Sequence, residues 1–160
     1  MALRDGDGFI SCDCGHDHWG LHGAAGLLLV RTDTPTTTVL LQLRARWTHG
    51  GGTWAIPGGA RDSHEDVVTA AFREAVEEVG IDTTRVEART VFTDDHGNWR
   101  YDTVVALCVD SAGVHAANHE SMDTRWVPID DVESFNLHPG LRASWPQLAV
   151  MVRREVATDV

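Results

Sequence analysis

Apolar and polar positions along the chain alternate between two periods, and the changes of period mark the elements. Ala24–Val30 and Thr37–Leu43 are runs of aliphatic and β-branched residues separated by the turn-forming stretch Thr32–Pro35, which predicts two strands. Thr48–Gly52 reads as a loop. Trp54–Ile56 reads as a short strand that Pro57 and the permissive pair Gly58 and Gly59 bring to an end. Val67, Val68, Ala71, Phe72, Ala75 and Val79 then recur at spacings of three and four, the period of an amphipathic helix. Ser63 is its expected N-cap, Glu65 and Asp66 its acidic first turn, and Gly80 its C-terminal stop. Val86–Phe92 and Tyr101–Val109 predict strands around the polar turn Asp94–Asn98, with Thr124–Val127 a shorter one. Pro128–Val132 starts a short helix. Arg142–Val156 closes the chain as an amphipathic helix with Trp145, Leu148, Met151 and Val152 on its apolar side. Strands before, between and after two helices point to an α/β fold, a mixed β-sheet sandwiched by helices.

Composition narrows the class without naming a chemistry. A chain of 160 residues suits one domain spanning 1–160, and 42 % hydrophobic with 23 % charged residues is ordinary for a globular protein. A net charge of -11 argues against a nucleic-acid groove, which relies on a basic face. A phosphorylated ligand would need divalent cations to offset the repulsion. Residues 1–22 read as a polar N-terminal arm with no secretory signal, and Ala24–Val30 is too short to cross a bilayer, so the expectation is a cytoplasmic protein with no membrane partner. Cys12, Cys14 and Cys108 are too few for a disulfide scaffold.

The chemistry is concentrated on the first predicted helix. Glu74, Glu77 and Glu78 lie at i, i+3 and i+4, so their carboxylates share one face and repel unless a cation sits among them. Hard oxygen ligands at that separation suit Mg2+ or Mn2+. An isolated acidic triplet is also what a solvated helix face carries, so the upstream context decides. Gly59 is followed after five residues by Glu65, after seven more by Arg73-Glu74, then by Ala75, Glu77-Glu78, Gly80 and Ile81.

With this pattern, residues 59–81 closely resemble the box of the Nudix hydrolase family, and Gly51–Gly59 is similar to the family's approach to it. The smaller Ala75 at an aliphatic position bears on packing rather than chemistry. The resemblance implies a Nudix-type α/β/α sandwich and metal-assisted hydrolysis of a pyrophosphate bond in a nucleoside di- or triphosphate derivative. It implies Glu77 and Glu78 as metal ligands, Glu74 as a ligand or the base that deprotonates water, and carbonyl oxygens of Gly58 and Gly59 toward the ion. A further carboxylate often comes from a later loop, for which Glu120 is the candidate. Glu65 and Arg73 are expected to pair and so orient the glutamates. A Nudix domain kept for nucleotide sensing or protein binding is the alternative, but such a module has no need to retain a repulsive carboxylate set.

The group beyond the phosphates is less legible. Judged against the family's subfamily tags, Asp94–Trp99 lacks the Pro expected of ADP-ribose enzymes, and Tyr101 stands late for diadenosine polyphosphate enzymes. The tag for NADH is absent. Nucleoside triphosphates and their damaged forms remain as the expected small-molecule substrate. Trp47, Trp99 and Tyr101 could stack on a base, Arg44 and Arg46 could meet phosphates, and His138 lies where related enzymes read the base. Trp99 and Tyr101 alternate along a predicted strand, however, and for either alone sheet packing is the better account.

Cys12, Cys14, His16 and His18 fall at every second residue, with His22 nearby. In a single strand they would face one side yet span about 20 Å, too far for one tetrahedral ion, so the spacing argues against zinc unless a tight loop gathers them.

Overall fold

The structure is a computed structural model that describes residues 4–48, 50–116, 118 and 121–159. The elements in chain order are β1 (Phe9–Ser11), β2 (Asp17–Trp19), β3 (Ala24–Arg31), β4 (Thr38–Arg44), β5 (Trp54–Ala55), β6 (Gly58–Ala60), α1 (Val67–Val79), β7 (Val86–Asp95), β8 (Arg100–Cys108), β9 (Ser121–Pro128) and α2 (Pro139–Thr158). Short 3-10 turns at Thr83–Arg85 and Ile129–Ser134 precede β7 and follow β9.

β3 lies at the centre of a mixed sheet in the order β5-β4-β3-β8-β7, with β6 also paired to β3 and β9 to β4. β3 and β8 run parallel from Ala24↔Tyr101 to Arg31↔Cys108, while the other pairs are antiparallel. Both central strands are buried on both faces, which is why β3 reads as an unbroken apolar run rather than an alternation. Their residues nevertheless sort by parity, as the two-residue strand period requires. Leu28, Val30, Val39, Leu41, Val105 and Leu107 face α2, where Leu141, Trp145, Leu148 and Val152 cover them. Leu27, Leu29, Leu40, Val104 and Ala106 face α1, where Ala70, Ala71, Ala75 and Val79 lie against them. Small residues on that side of α1 let the helix approach the sheet closely.

Several boundaries differ from the sequence reading, each for a local reason. Asp66, not Ser63, caps α1, its carboxylate accepting from the Thr69 amide at 2.7 Å. Ser63 is drawn away because its amide and hydroxyl both donate to Asp5. Glu65 consequently precedes the helix instead of lying in its first turn. Gly58 and Gly59 do not simply end a strand but form β6 beside β3. Gly80 closes α1 in the left-handed region, φ 64°, as expected. Residues 9–19, within the stretch read as a polar arm, form a two-stranded hairpin. Among the described residues no helix is long and apolar enough to cross a membrane.

If α2 is a core layer, Leu148→Ala will destabilise the chain by about 2–5 kcal/mol, whereas truncation of the exposed Arg153 will stay within about 0.5 kcal/mol. Urea unfolding measures both, and equal, small effects would contradict the packing of α2 on the sheet.

Candidate active site

The centre of the candidate site is an ion-pair fork. Arg73, on α1, donates from Nε to Glu65 Oε2 and from Nη2 to Glu65 Oε1, both at 2.7 Å. Glu65 Oε1 also accepts from the Asp62 amide at 2.9 Å, and Arg73 Nη2 reaches the Ala60 carbonyl at 3.0 Å. One guanidinium thus ties together the end of β6, the 61–65 turn and the middle of α1. The geometry is the bidentate one that suits Arg and not Lys. Hydrogen bonding to Arg73 holds the Glu65 carboxyl below its usual range against the opposing effect of burial, and Glu65 in turn raises Arg73.

Arg73 Nη1 donates to Glu74 Oε1 at 2.8 Å, so the same guanidinium also orients the first glutamate of the triplet. The Glu74 carboxylate lies against the Gly59 backbone so closely that a Cβ at Gly59 would come within 2.8 Å of its atoms. Glu78, 2 % exposed, accepts from the Gly58 amide at 2.8 Å through Oε2. Gln42 Nε2 lies 3.4 Å from the same oxygen. Glu74 and Glu78 therefore meet the Gly58–Gly59 backbone together. A side chain on either glycine would fill this junction, since a Cβ at Gly58 would also strike the Tyr101 hydroxyl at 2.4 Å.

Glu77 projects away to the surface, 42 % exposed, where Arg4 Nη2 donates to it at 2.5 Å and Arg73 Nη1 stands at 3.9 Å. Its expected role as a ligand thus has less geometric support than those of Glu74 and Glu78. Glu120 lies outside the described residues. The fork between Glu65 and Arg73 matches the expected pairing, but Glu65 reaches Arg73 from the loop, not from the same helical face.

Of the expected substrate contacts, Tyr101 is nearest the glutamates. Its hydroxyl lies beneath Gly26 and Gly58, and burial raises its phenol pKa, with the charges of Glu78 and Glu74 adding and that of Arg44 opposing. Arg44, at the end of β4, belongs to the same neighbourhood. Arg46 and Trp47 stand exposed on the loop after β4, Trp47 at 69 %. His138 caps α2 through a 3.2 Å bond from the Gly140 amide and abuts Gly50 of that loop. Trp99 is directed elsewhere, its ring stacked on His18 at 4.1 Å and 7°.

Two participants were missed from the sequence. Gln42 interrupts the aliphatic run of β4 and is 1 % exposed, a buried polar residue that signals a purpose. Arg4 has no such signal, since its contacts to Glu77 and Asp62 span more than fifty residues.

A family profile for the NUDIX domain matches residues 20–148. Over 152 residues the chain is 48 % identical to a Mycobacterium tuberculosis protein named "Putative 8-oxo-dGTP diphosphatase 3", covering 90 % of this chain and 69 % of that one. It is 42 % identical over 160 residues to a Bifidobacterium longum nucleoside triphosphate pyrophosphatase/Nudix hydrolase fusion protein, of which it spans 33 %. The crystal structure of the M. smegmatis Nudix hydrolase RenU superposes with a TM-score of 0.83 at 42 % identity, over 97 % of both chains. The fold accords with these relatives, and the chain belongs to the Nudix hydrolase family of pyrophosphohydrolases.

Proposed function

We propose that the chain hydrolyses a nucleoside triphosphate, with oxidised deoxyguanosine triphosphate the foremost candidate, to the monophosphate and pyrophosphate in a divalent-metal-dependent reaction. The observation that carries the reading is the joint approach of Glu74 and Glu78 to the Gly58–Gly59 backbone. Carboxylates, with backbone carbonyls close by, form an all-oxygen donor set that fits Mg2+ or Mn2+. When bound, the cation neutralises phosphate charge and lowers the pKa of water. The protein of that name from M. tuberculosis supports an oxidised guanine nucleotide as the first compound to try.

The chain's own groups divide the remaining work. Glu74 and Glu78 hold the cation, and a carboxylate of this pair takes the proton from the attacking water as the P–O bond to the pyrophosphate leaving group breaks. Arg73 does not contact the substrate. Pinned by Glu65, it fixes the rotamer of Glu74, a positioning role. Arg44, whose charge reaches Tyr101, would meet the phosphates and the exposed Trp47 would cover the base, with His138 beside the same loop. A sensing module is the alternative reading. Nothing in the geometry favours it over the enzyme.

Release of pyrophosphate from a deoxynucleotide panel will require Mg2+ or Mn2+, and Glu78→Gln, which preserves an acceptor for the Gly58 amide, will lower kcat by about 10²-fold or more. Turnover in a chelator, or an undiminished variant, would reject the mechanism. Within the panel, 8-oxo-dGTP will exceed dGTP in kcat/KM by about ten-fold or more. If some other triphosphate leads while the metal and Glu78 requirements hold, only the base assignment falls.

The ion-pair fork makes a separate forecast about pH. A carboxyl depressed in the folded state contributes stability that is present above its unfolded pKa, about 4.3, and lost as the pH falls through the folded value. Thermal midpoints will therefore drop below about pH 4, less steeply in Glu65→Gln, which starts lower at pH 7. Parallel pH profiles would show that the pair contributes no such linkage.

A further inference from the structure

We propose that the N-terminal hairpin holds a Zn2+ ion through Cys12, Cys14 and His18, with His16, which of the three approaches only Cys14, turning its ring inward to complete the coordination. A single strand would spread these residues too widely, but the chain here folds back on itself. β1 and β2 pair Phe9 with Trp19, Ile10 with His18 and Ser11 with Asp17. Extending that register one step sets Cys12 opposite His16, and the Cys12 amide donates to the His16 carbonyl at 3.0 Å. Side chains alternate across a strand, so Cys12, His16 and His18 fall on one face of the hairpin and Ser11 and Asp17 on the other.

Cys14 joins them from the turn. The Gly15 amide donates to the Cys12 carbonyl at 3.0 Å, with Gly15 at φ 91° turning the chain. Ligand atoms of Cys12, Cys14 and His18 all lie within 4.8 Å of one another. Cys14 Sγ is 3.1 Å from His18 Nε2 and 3.9 Å from His16 Nδ1. For a tetrahedral ion with Zn–S near 2.3 Å and Zn–N near 2.0 Å, sulfur and nitrogen ligands stand about 3.5 Å apart, between these two distances. The Cys14 amide also points to Cys12 Sγ at 3.5 Å, a donor that stabilises thiolate.

The surroundings hold the cluster in place. His18 lies flat on Trp99, and Asn98 bridges to the hairpin by accepting from the Asp13 amide at 2.9 Å and donating to the Ser11 carbonyl at 3.0 Å. The thiols are free, and Cys12 donates to the His96 carbonyl at 3.2 Å. On binding, both thiol protons leave to solvent and the sulfurs become ligands to the ion, with no change of oxidation state. Two thiolates with imidazole select Zn2+ over the hard cations suited to the glutamate site. The ion would close the hairpin on itself beside the β7–β8 turn, whose Trp99 stacks on His18 two residues before Tyr101.

The test is a Co2+ titration of the full chain, stripped of metal and kept reduced. One Co2+ per chain will bind with thiolate-to-cobalt charge-transfer absorption in the near ultraviolet and tetrahedral d–d absorption in the red, both displaced by Zn2+. An oxygen site at the glutamates gives no thiolate band, which separates the two loci. Cys108→Ala will retain the spectrum, while Cys12→Ser combined with Cys14→Ser will abolish it along with the rise in melting temperature that Zn2+ confers. Cys14→Ser, which changes an exposed turn residue, covers the case in which the double variant does not fold. Absence of thiolate absorption in the native chain, or its survival in the Cys14 variant, would overturn the site.

Discussion

The half-buried fork between Arg73 and Glu65 is the constraint on which the candidate site depends. Helix α1 packs on the sheet that β6 joins through β3, and the turn of irregular backbone between them leaves their fine alignment to side chains. A guanidinium that bonds Glu65 through two nitrogens, Glu74 through a third and the Ala60 carbonyl besides sets it to within hydrogen-bond tolerance. Because the planar group is committed on several sides, moving the loop moves the glutamate. The sheet supplies the floor beneath this arrangement, with the parallel pair β3 and β8 bringing Gly26 and Tyr101 under Gly58.

Close approach is the second requirement, and it explains the small residues around the site. Alanines at 70, 71 and 75 let α1 settle onto the sheet, and the backbone of β6 slides between the helix carboxylates and the Tyr101 hydroxyl only because residues 58 and 59 lack side chains. Ala75, smaller than the residue usual at that position of the family box, fits the same need. Glu78 is then buried where its charge is matched by the Gly58 amide and Gln42 rather than by water. Carboxylates desolvated in this way interact more strongly with a bound ion than the exposed Glu77 could.

Much of this was legible in the sequence because it is governed by local periodicity. The apolar runs of β3, β4 and β8, the three-and-four spacing of α1 and the left-handed stop at Gly80 all follow from near-neighbour physics. The failures occurred where a distant residue competes. Ser63 has the chemistry of a helix cap, but Asp5 recruits it and the cap passes to Asp66. β6 was invisible because its residues have little strand propensity, and it forms by pairing with Ala24, Ala25 and Gly26 of β3. The arm at residues 9–19 folds into a hairpin too short to announce itself, and its turn brings together side chains that a linear reading keeps apart. Of the candidate site, the glutamates, Arg73 and Glu65 were legible from motif spacing. Gln42 was marked only by its interruption of the β4 run, and Arg4 was not legible, since its partners lie across the fold.

The central claim is that Glu74 and Glu78, positioned by the fork, form the cation site beside Gly58 and Gly59. Crystals soaked with Mn2+ and a non-hydrolysable nucleoside triphosphate would test it most directly by anomalous scattering. The account predicts a peak bridging the carboxylates of Glu74 and Glu78 and the nucleotide phosphates, with the contacts between Arg73 and Glu65 unchanged. A nucleotide bound with its phosphates away from α1, or manganese held only by other residues, would contradict it.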